Sequence, residues 1–549
     1  MKNLIHGACL AVVALASVGS VVAASPAVVF KAQPFAPQDV RLLDGPFKTA
    51  QDLDGAYLLS LDPDRLLHNF RVNAGLPSSA EPLGNWENPG SELRGHMTGH
   101  CLSACALMYA STGDARFKAR ADLLACELAK CQAAHGKSGY LSAFPETFFD
   151  RLELDGKVWA PYYTLHKIFA GLLDAHALCG NTQALDCAAK LGDWVVARIA
   201  RLSDDELQKA LDTEHGGINE SLAELYARTG KEAYLQAAKR LCHKKVFEPL
   251  AAREDKLPGQ HANTQFPKII GAARLYELTG DARDREIAEF FWDRVVNHHS
   301  YVTGGNSDHE GFGPPDTLSE RVSPFTAESC NTYNMLKLSH RLFAWDASAA
   351  RADFCERALY NHILASQDPR TGRMAYHIPV YGGWFMPYDT PNVSCWCCTG
   401  TGFESHARTG EGIYWRDAEG LFVNLFIPSE LTWREKNATL RLETHYPEEE
   451  RVRLNVRCEK PLAFALRVRC PAWASRGMTL SVNGDRVAWD AKPGSFASLT
   501  REWKDGDRVE WTIPMRLRLE AMPDNPSRAA ICYGPVVLAG ALGTEKMGP

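Results

Sequence analysis

The chain has 549 residues, a length that predicts two or more domains rather than one hydrophobic core. Its formal net charge of −6 at pH 7 argues against a nucleic-acid-binding protein, which would need a basic surface. Aromatic residues make up 10% of the chain, with 13 tryptophans, which suits stacking against sugar rings and equally an ordinary core.

The first 24 residues are organised like a secretory signal peptide. Lys2 gives a basic start, residues 10–16 form a short apolar core, and small side chains surround the expected cleavage point after Ala24. The apolar run is too short to span a membrane, and no later segment approaches 18 uninterrupted apolar residues. We therefore expect an exported protein, periplasmic or secreted, without a membrane span.

Export makes the cysteine count informative. Removal of the signal peptide takes Cys9 and leaves fifteen of the sixteen cysteines, an odd number that cannot be fully paired. Many lie in apolar, helix-like settings, where a buried free thiol is the favoured interpretation. Disulfides between the cysteines at positions 101 and 105, and between those at 126 and 131, remain an alternative.

After a short β-rich lead at residues 25–50, one pattern repeats: an apolar helix ends at a glycine and a second helix follows. Glycine just past a helix is a C-cap signal. These glycines, separated by 67, 50 and 50 residues, are Gly113, Gly180, Gly230 and Gly280, and a degenerate fifth copy ends at Asp346. Repeated helical hairpins form either a closed α/α toroid or an open solenoid, and the uneven insertions favour a toroid of the six-hairpin type over residues 51–410.

Three loops of this helical region are rich in Gly and Pro and carry many His, Trp and Tyr side chains. They lie at residues 135–160, 299–326 and 365–396. In a rigid barrel such loops are where a functional site is built, so we expect the site there.

After about residue 410 the pattern changes from helical to alternating. Residues 451–457 and 463–469 alternate in side-chain character with period two, as strands packed on one face do. Turn signals follow at Asn483-Gly484 and Asp505-Gly506. We predict an antiparallel β-sandwich over residues 411–549, with the lead pairing onto it, and a strand-like segment so near the end suggests that the sandwich is truncated at residue 549.

A candidate metal site comes from four positions in two distant stretches. Cys397 and Cys398 are adjacent, which makes them poor partners for a disulfide but good soft ligands. Cys330 and Glu328 complete a set of three sulfurs and one carboxylate, which Zn²⁺ accepts in four-coordinate sites. From spacing alone, buried cysteines that pack as small apolar side chains are the alternative.

At these residues the chain resembles a known family. Residues 328–338 (ESCNTYNMLKL) and 397–402 (CCTGTG) are similar to the zinc-dependent β-L-arabinofuranosidases of glycoside hydrolase family 127 and its sister family 146. Supporting stretches are residues 99–104, 214–220 and 265–268, and the similarity runs from about residue 40 into the C-terminal part. The resemblance implies an exported glycosidase that releases β-L-arabinofuranosyl residues from arabinose-containing plant-type glycans and uses Zn²⁺.

The resemblance also implies roles for individual residues. The first cysteine of the adjacent pair, Cys397, would be both a zinc ligand and the nucleophile, and Cys398, Cys330 and Glu328 would be the other ligands. A glycosidase also needs an acid that protonates the leaving oxygen. The resemblance assigns that role to Glu310, with a slightly different spacing to Glu328 than in family 127, and Glu320 is the fallback.

Sugar-binding candidates come from the same resemblance. They are His166, His261 and Tyr376 by local context, Glu220 after the His-Gly-Gly stretch, and His100. His96 and His100 stand four residues apart and share a helix face, but a metalloprotease motif would need a glutamate that is missing here. Cys395 departs from the family, where an aromatic residue is common, and adds a third thiol beside the expected ligands.

Two other functions remain open from the sequence. A polysaccharide lyase or uronyl hydrolase on an α/α toroid would use Tyr, His or Asp chemistry and would not need Cys397. A non-enzymatic glycan-binding protein would keep zinc as a purely structural ion. Metal content separates the lyase from the other two, and loss of activity with an intact fold in Cys397→Ser separates the glycosidase from the binding protein.

Overall fold

The computed structural model describes residues 24–154, 156–541 and 543, and the predicted signal peptide lies outside this range apart from Ala24. A helical part is followed by a sheet part, which confirms the predicted multi-domain α + β class. Within the described residues the helices are α1 (Pro46–Ser60), α2 (Pro63–Asn73), α3 (His96–Thr112), α4 (Ala115–Ala134), α5 (Thr147–Leu154), α6 (Pro161–Cys179), α7 (Thr182–Ile199), α8 (Asp204–Leu211), α9 (Ile218–Thr229), α10 (Glu232–Arg240), α11 (Lys244–Ala251), α12 (Ala262–Thr279), α13 (Ala282–Arg294), α14 (Ser329–Asp346), α15 (Ala349–Ala358) and α16 (Cys397–Ala407).

Six of these helices form a closed inner ring. Each packs against the next in the order α3, α6, α9, α12, α14 and α16, and α16 packs back against α3. The helices α4, α7, α10, α13 and α15 each pack outside the inner helix that precedes them, and α1 packs outside α16. The N-terminal helix thus completes the sixth hairpin, so the ring is closed and the predicted α/α toroid is confirmed.

The turn between an inner and an outer helix is built by a short local signal. Gly113, Gly180, Gly230 and Gly280 end four inner helices with φ between 66° and 78°, the left-handed region that favours glycine. Ala347, with φ 53°, ends α14 in the same way. The next residue often caps the outer helix, as Asp114 does by accepting a hydrogen bond from the Arg116 amide. This signal ends five of the six inner helices, α3, α6, α9, α12 and α14, and each of the five turns directly into its outer partner.

The sheet part forms two main sheets and one small sheet. Its strands are β1 (Gln33–Pro34), β2 (Val40–Leu42), β3 (Tyr414–Arg416), β4 (Gly420–Val423), β5 (Ser429–Trp433), β6 (Ala438–Thr444), β7 (Arg451–Cys458), β8 (Leu462–Cys470), β9 (Thr479–Val482), β10 (Asp485–Val487), β11 (Ser495–Trp503), β12 (Arg508–Thr512), β13 (Leu517–Met522), β14 (Asn525–Tyr533) and β15 (Val536–Val537). The strand orders are β1-β3-β4-β8-β11, β10-β9-β12-β7-β6-β5-β2 and β13-β14-β15.

The pairing differs from the prediction at one place. All strand pairs are antiparallel except β4 and β8, which run parallel with Leu421 opposite Leu466. From the N-terminal lead, β1 pairs with β3 and β2 pairs with β5, so the lead adds one edge strand to each main sheet. The helix α1 begins inside the predicted lead, at Pro46.

The two parts share a core and a buried ion pair. The rings of Phe343 on α14 and Trp415 on β3 lie 4.8 Å apart within one continuous hydrophobic cluster. Arg469 on β8 is fully buried and donates to Glu356 on α15 at 2.6 Å, and also to Asp353. Because a buried charge needs such partners, Arg469 anchors the sandwich to the outer wall of the toroid. Among the described helices none is both long and apolar enough to cross a membrane.

Candidate active site and metal centre

Four donor side chains meet where α14 and α16 begin. Glu328 is the residue directly before α14 and Cys330 lies in its first turn, while Cys397 and Cys398 are the first residues of α16. One donor atom from each residue lies within 4.8 Å of all the others, and all four residues are buried. The Cys330 and Cys398 sulfurs are 3.2 Å apart, and Glu328 Oε1 is 3.6 Å from the Cys397 sulfur. The fold thus gathers the predicted ligands, from two stretches far apart in the chain, around one point.

The electrostatics of this quartet suit a cation. Burial raises the pKa of Glu328, Cys330 and Cys397 well above their ordinary values. Burial acts the same way on Cys398, but hydrogen bonds with Cys330 and Cys397 lower its pKa to about 7. Glu328 Oε2 is buried and has no hydrogen-bond partner among the described residues. Positive charge at this point, to which two helix N-termini already contribute, would compensate three sulfurs and one carboxylate.

The composition of the quartet is also that of a metal site. Three thiolates and one carboxylate in a closed, buried cluster match four-coordinate zinc, whereas hard cations such as Mg²⁺ prefer oxygen ligands throughout. The alternative interpretation, apolar packing of cysteines, does not account for a buried carboxyl group among them. The quartet can therefore hold a metal ion.

Glu310 lies on a loop whose backbone is unusual. Ser307, His309 and Glu310 have φ of 74°, 50° and 63°, which is uncommon for residues other than glycine. The Glu310 carbonyl accepts from the Ala262 amide at 2.7 Å, which ties the loop to the first turn of α12. This conformation turns the Glu310 carboxyl toward His261 and Tyr376.

The Glu310 carboxyl shares its environment with a histidine. His261 Nε2 lies 3.4 Å from Glu310 Oε2. The bond to His261, helped by Tyr376 and opposed by burial, lowers the pKa of Glu310 to about 2. Burial alone would lower the pKa of His261, but the bond to Glu310 raises it above its ordinary value. This hydrogen bond therefore keeps Glu310 a carboxylate at neutral pH and favours the protonated form of the His261 imidazole.

Tyr376 connects the two halves of the site. Its hydroxyl donates to Glu310 Oε1 and lies 3.7 Å from the Cys397 sulfur. Burial and the neighbouring Cys397 raise its pKa well above the ordinary value, so the hydroxyl keeps its proton. The predicted nucleophile and the predicted acid thus lie on either side of one hydroxyl group.

His166 and Glu220 lie together inside the ring. His166 Nδ1 accepts from the Gly217 amide at 3.1 Å, and its Nε2 is 3.5 Å from Glu220 Oε2. Lys337 also donates to Glu220, at 3.0 Å. Burial lowers the pKa of His166 to about 4, so its ring is neutral. The sugar-binding roles of His166 and Glu220 stay predictions, since the contacts described for these two residues are with each other and with other residues of the helical ring.

His100 is fully buried behind α16. Its Nδ1 bonds Glu404 at 2.6 Å, and its ring lies so close to Gly400 that a side chain at position 400 would overlap it, at 2.4 Å. Its role in binding sugar stays a prediction, and what the structure shows is support for the helix that carries Cys397. The fallback acid Glu320 is exposed. Among the described residues all fifteen cysteines are free, including Cys395 and the pairs for which disulfides were open.

Several residues at the site were not predicted from the sequence. Tyr163, in the first turn of α6, packs against the cysteine cluster, and its buried hydroxyl has no partner among the described residues. Trp86 packs on the same cluster, with its ring 5.3 Å from Trp159 and 6.3 Å from Tyr376. Glu404 follows Cys397 by two helical turns and accepts from His100 and from Tyr333. The spacing of seven residues, which keeps one helix face, is the signal that would have found Glu404.

Comparisons with known proteins identify the family and the fold. A family model described as the GH127 catalytic domain of β-L-arabinofuranosidase matches residues 39–411, and one for the GH127 middle domain matches residues 420–515. A GH127 β-L-arabinofuranosidase structure from Geobacillus stearothermophilus T6 is similar with a TM-score of 0.72 and 21% identity, covering 91% of this chain and 86% of that one. A second GH127 β-arabinofuranosidase structure is similar with a TM-score of 0.74 and 21% identity, covering 92% of this chain and 85% of that one. No curated protein sequence matches.

Proposed function

Because the chain belongs to glycoside hydrolase family 127, the β-L-arabinofuranosidase family, and is a glycosidase, we propose that it is a retaining enzyme with Cys397 as nucleophile and Glu310 as acid and base. The observation that carries the proposal is the position of both groups on the hydroxyl of Tyr376, with Cys397 also in the buried quartet. The substrate class is an arabinose-containing oligosaccharide or polysaccharide, from which β-L-arabinofuranosyl residues are released.

Zinc is the metal that the quartet suits best. Glu328, Cys330 and Cys398 would hold it together with Cys397. When bound there, zinc keeps the coordinated thiols deprotonated and stabilises negative charge on sulfur. Without such a cation the burial of Cys397 favours the neutral thiol, which is a poor nucleophile.

The first displacement forms a bond from the Cys397 sulfur to the anomeric carbon. The bond from that carbon to the leaving oxygen breaks, and Glu310 delivers a proton to this oxygen. Since the pKa of Glu310 is about 2 in the free site, its carboxylate needs a proton, and His261 at 3.4 Å is the group that can supply it. Glu310 and His261 thus act as one proton-sharing pair.

The second displacement reverses these roles. Water attacks the anomeric carbon, the carbon–sulfur bond breaks with its electron pair on sulfur, and Glu310 accepts a proton from the water. Two displacements at one carbon retain its configuration. The Tyr376 hydroxyl, placed between sulfur and carboxylate, keeps its proton and donates a hydrogen bond to whichever of them carries the charge.

The walls of the site are suited to a small sugar ring. Tyr163, Trp86 and Trp159 surround the buried thiols with aromatic surface and leave the Tyr163 hydroxyl for a hydrogen bond. His166, His261, Glu220 and His100 are the further sugar-binding candidates. Export through the predicted signal peptide, with cleavage after Ala24, would bring the enzyme to glycans outside the cell.

Release of p-nitrophenol from p-nitrophenyl β-L-arabinofuranoside tests the activity. We expect turnover that Cys397→Ser abolishes, labelling of Cys397 by an electrophilic arabinofuranose analogue, and the β anomer as first product by NMR. An initial α anomer would contradict the double displacement while leaving the substrate class intact. A metal-loaded protein that binds arabinoglycans without turnover would favour the binding-protein alternative. Cleavage of uronic acid glycans by a metal-free sample would favour the lyase or uronyl hydrolase.

A further inference from the structure

An exposed aromatic row begins directly outside Glu310. The rings of Phe325 and His309, the residue before Glu310, lie 4.9 Å apart. Phe325 also lies 5.8 Å from His377, which lies 4.6 Å from Tyr376. The row therefore runs without interruption from the hydroxyl that bonds Glu310 to the protein surface.

Exposure rises steadily along this path. Cys397 is 3% exposed, the side chain of Glu310 is 35% exposed, and Phe325 is 47% exposed. A sugar ring bound over Cys397 is therefore deep in the site, and the group attached beyond Glu310 emerges beside Phe325. In a retaining glycosidase the acid contacts the oxygen of the leaving group, so the side of Glu310 that faces outward is the leaving-group side.

Phe325 is held firmly although its ring is half exposed. Its amide donates to Ser323 Oγ at 3.0 Å, and its carbonyl accepts from the His309 amide at 3.1 Å. The next residue, Thr326, is fully buried and its hydroxyl accepts from the Val380 amide at 2.9 Å. A large apolar side chain fixed at the surface by its own backbone costs little entropy when a ligand covers it.

We propose that Phe325, flanked by His309 and His377, is the leaving-group subsite of the enzyme, on which the sugar ring next to the cleaved bond stacks. This inference rests on the proposed function. The apolar C–H face of a sugar ring fits the flat face of Phe325, while the two imidazoles at its edges can hydrogen-bond ring hydroxyls. The preferred substrates are thus glycans whose leaving group is another sugar ring.

Two substrates separate this subsite from the chemistry. Methyl β-L-arabinofuranoside has no ring on the leaving-group side, whereas a β-L-arabinofuranosyl disaccharide has one. In Phe325→Ala we expect kcat/KM for the disaccharide to fall about tenfold, mainly through KM, while the methyl glycoside changes by less than about twofold. Phe325→Tyr, which keeps the ring face, should retain the activity on the disaccharide within about threefold.

Another exposed phenylalanine provides a matched control. Phe385 is 64% exposed and stacks on Trp384, outside the row that begins at Glu310. Phe385→Ala should leave both substrates unchanged, and unchanged melting temperatures exclude a folding defect. Equal losses on both substrates in Phe325→Ala, no loss on the disaccharide, or the same loss in Phe385→Ala would each overturn the subsite. A wild-type enzyme inactive on both glycosides would instead overturn the proposed function, and the subsite with it.

Discussion

The two halves of the candidate site are built from different kinds of backbone. The quartet that contains Cys397 is buried where two packed helices begin. Glu310 lies on an irregular loop with five non-glycine residues at positive φ, Glu310 among them, and its side chain is partly exposed. The quartet is therefore buried around its sulfur atoms, while Glu310 is accessible for the proton transfers that accompany departure of the leaving group.

This difference predicts how mutations in each half of the site change the activity. Helix N-termini and burial hold the sulfur half in one geometry, so its loss should remove activity altogether. The loop half is tuned by the hydrogen bonds of His261 and Tyr376 to Glu310, so its alteration should change rate and pH dependence by degrees. Four experiments test this contrast.

Replacement of the nucleophile should have the largest effect. In Cys397→Ser we expect kcat/KM to fall by at least about 10⁴-fold with an intact fold, because Cys397 carries the sulfur that lies against the Tyr376 hydroxyl, opposite Glu310. Cys395→Ser is the matched control, since Cys395 is equally buried but lies outside the quartet. It should keep activity and metal content within about threefold. Near-normal activity in Cys397→Ser would show that Cys397 is not the nucleophile.

Removal of the metal should be the next largest effect. Since burial raises the pKa of Cys330 and Cys397, the apoprotein keeps neutral thiols at pH 7, and we expect turnover to fall at least about 10³-fold after chelation. The melting temperature should fall as well, because four buried donors lose their common partner. Assay and calorimetry after dialysis with Zn²⁺ should show recovery that Mg²⁺ does not give. Full activity in a metal-free sample would argue against the quartet as a metal centre.

Loss of the acid should reduce activity without abolishing it. In Glu310→Gln we expect a loss of about 10² to 10³-fold on alkyl glycosides and a smaller loss on p-nitrophenyl glycosides, whose leaving group needs no proton. Metal content should not change, because Glu310 is not one of the quartet. Glu320→Gln, at an exposed position, should stay within about twofold. If only the Glu320 variant loses activity, the acid is Glu320.

Replacement of His261, which shares a proton with Glu310, should shift the pH profile of kcat/KM. In the wild type the pair loses its proton through His261, whose pKa is raised above its ordinary value, so activity should fall as the pH rises through that raised pKa. In His261→Gln the proton resides on Glu310 alone. The pKa of Glu310 then rises from about 2 toward its ordinary value, which remains below that of His261.

The alkaline limb of kcat/KM should therefore move to lower pH in His261→Gln, and activity at pH 7 should fall about tenfold. His377→Gln is a suitable comparison, because His377 is neutral at pH 7, with a pKa of about 4, and does not hydrogen-bond Glu310 in the structure. An unchanged alkaline limb in His261→Gln would show that His261 does not supply the proton that Glu310 delivers.

Local signals in the sequence were sufficient for much of the architecture. Gly113, Gly180, Gly230 and Gly280 predict the ends of four inner helices, because a C-cap depends only on the residues around it. The strands β7 and β8 follow from period-two alternation for the same reason. The cysteine spacing, with the resemblance to a zinc-dependent family, was enough to nominate the quartet that the fold brings together.

What the sequence did not determine depends on contacts between distant segments. The helix α1 closes the ring against α16, and β4 pairs in parallel with β8, although no local pattern distinguishes these partners from others. His100 lies behind Gly400 because two inner helices approach closely there. Tyr163 and Trp86 likewise reach the site only through the packing of the ring. Capping and periodicity are properties of a few neighbouring residues, whereas ring closure and the surroundings of a buried charge arise when segments hundreds of residues apart exclude water together.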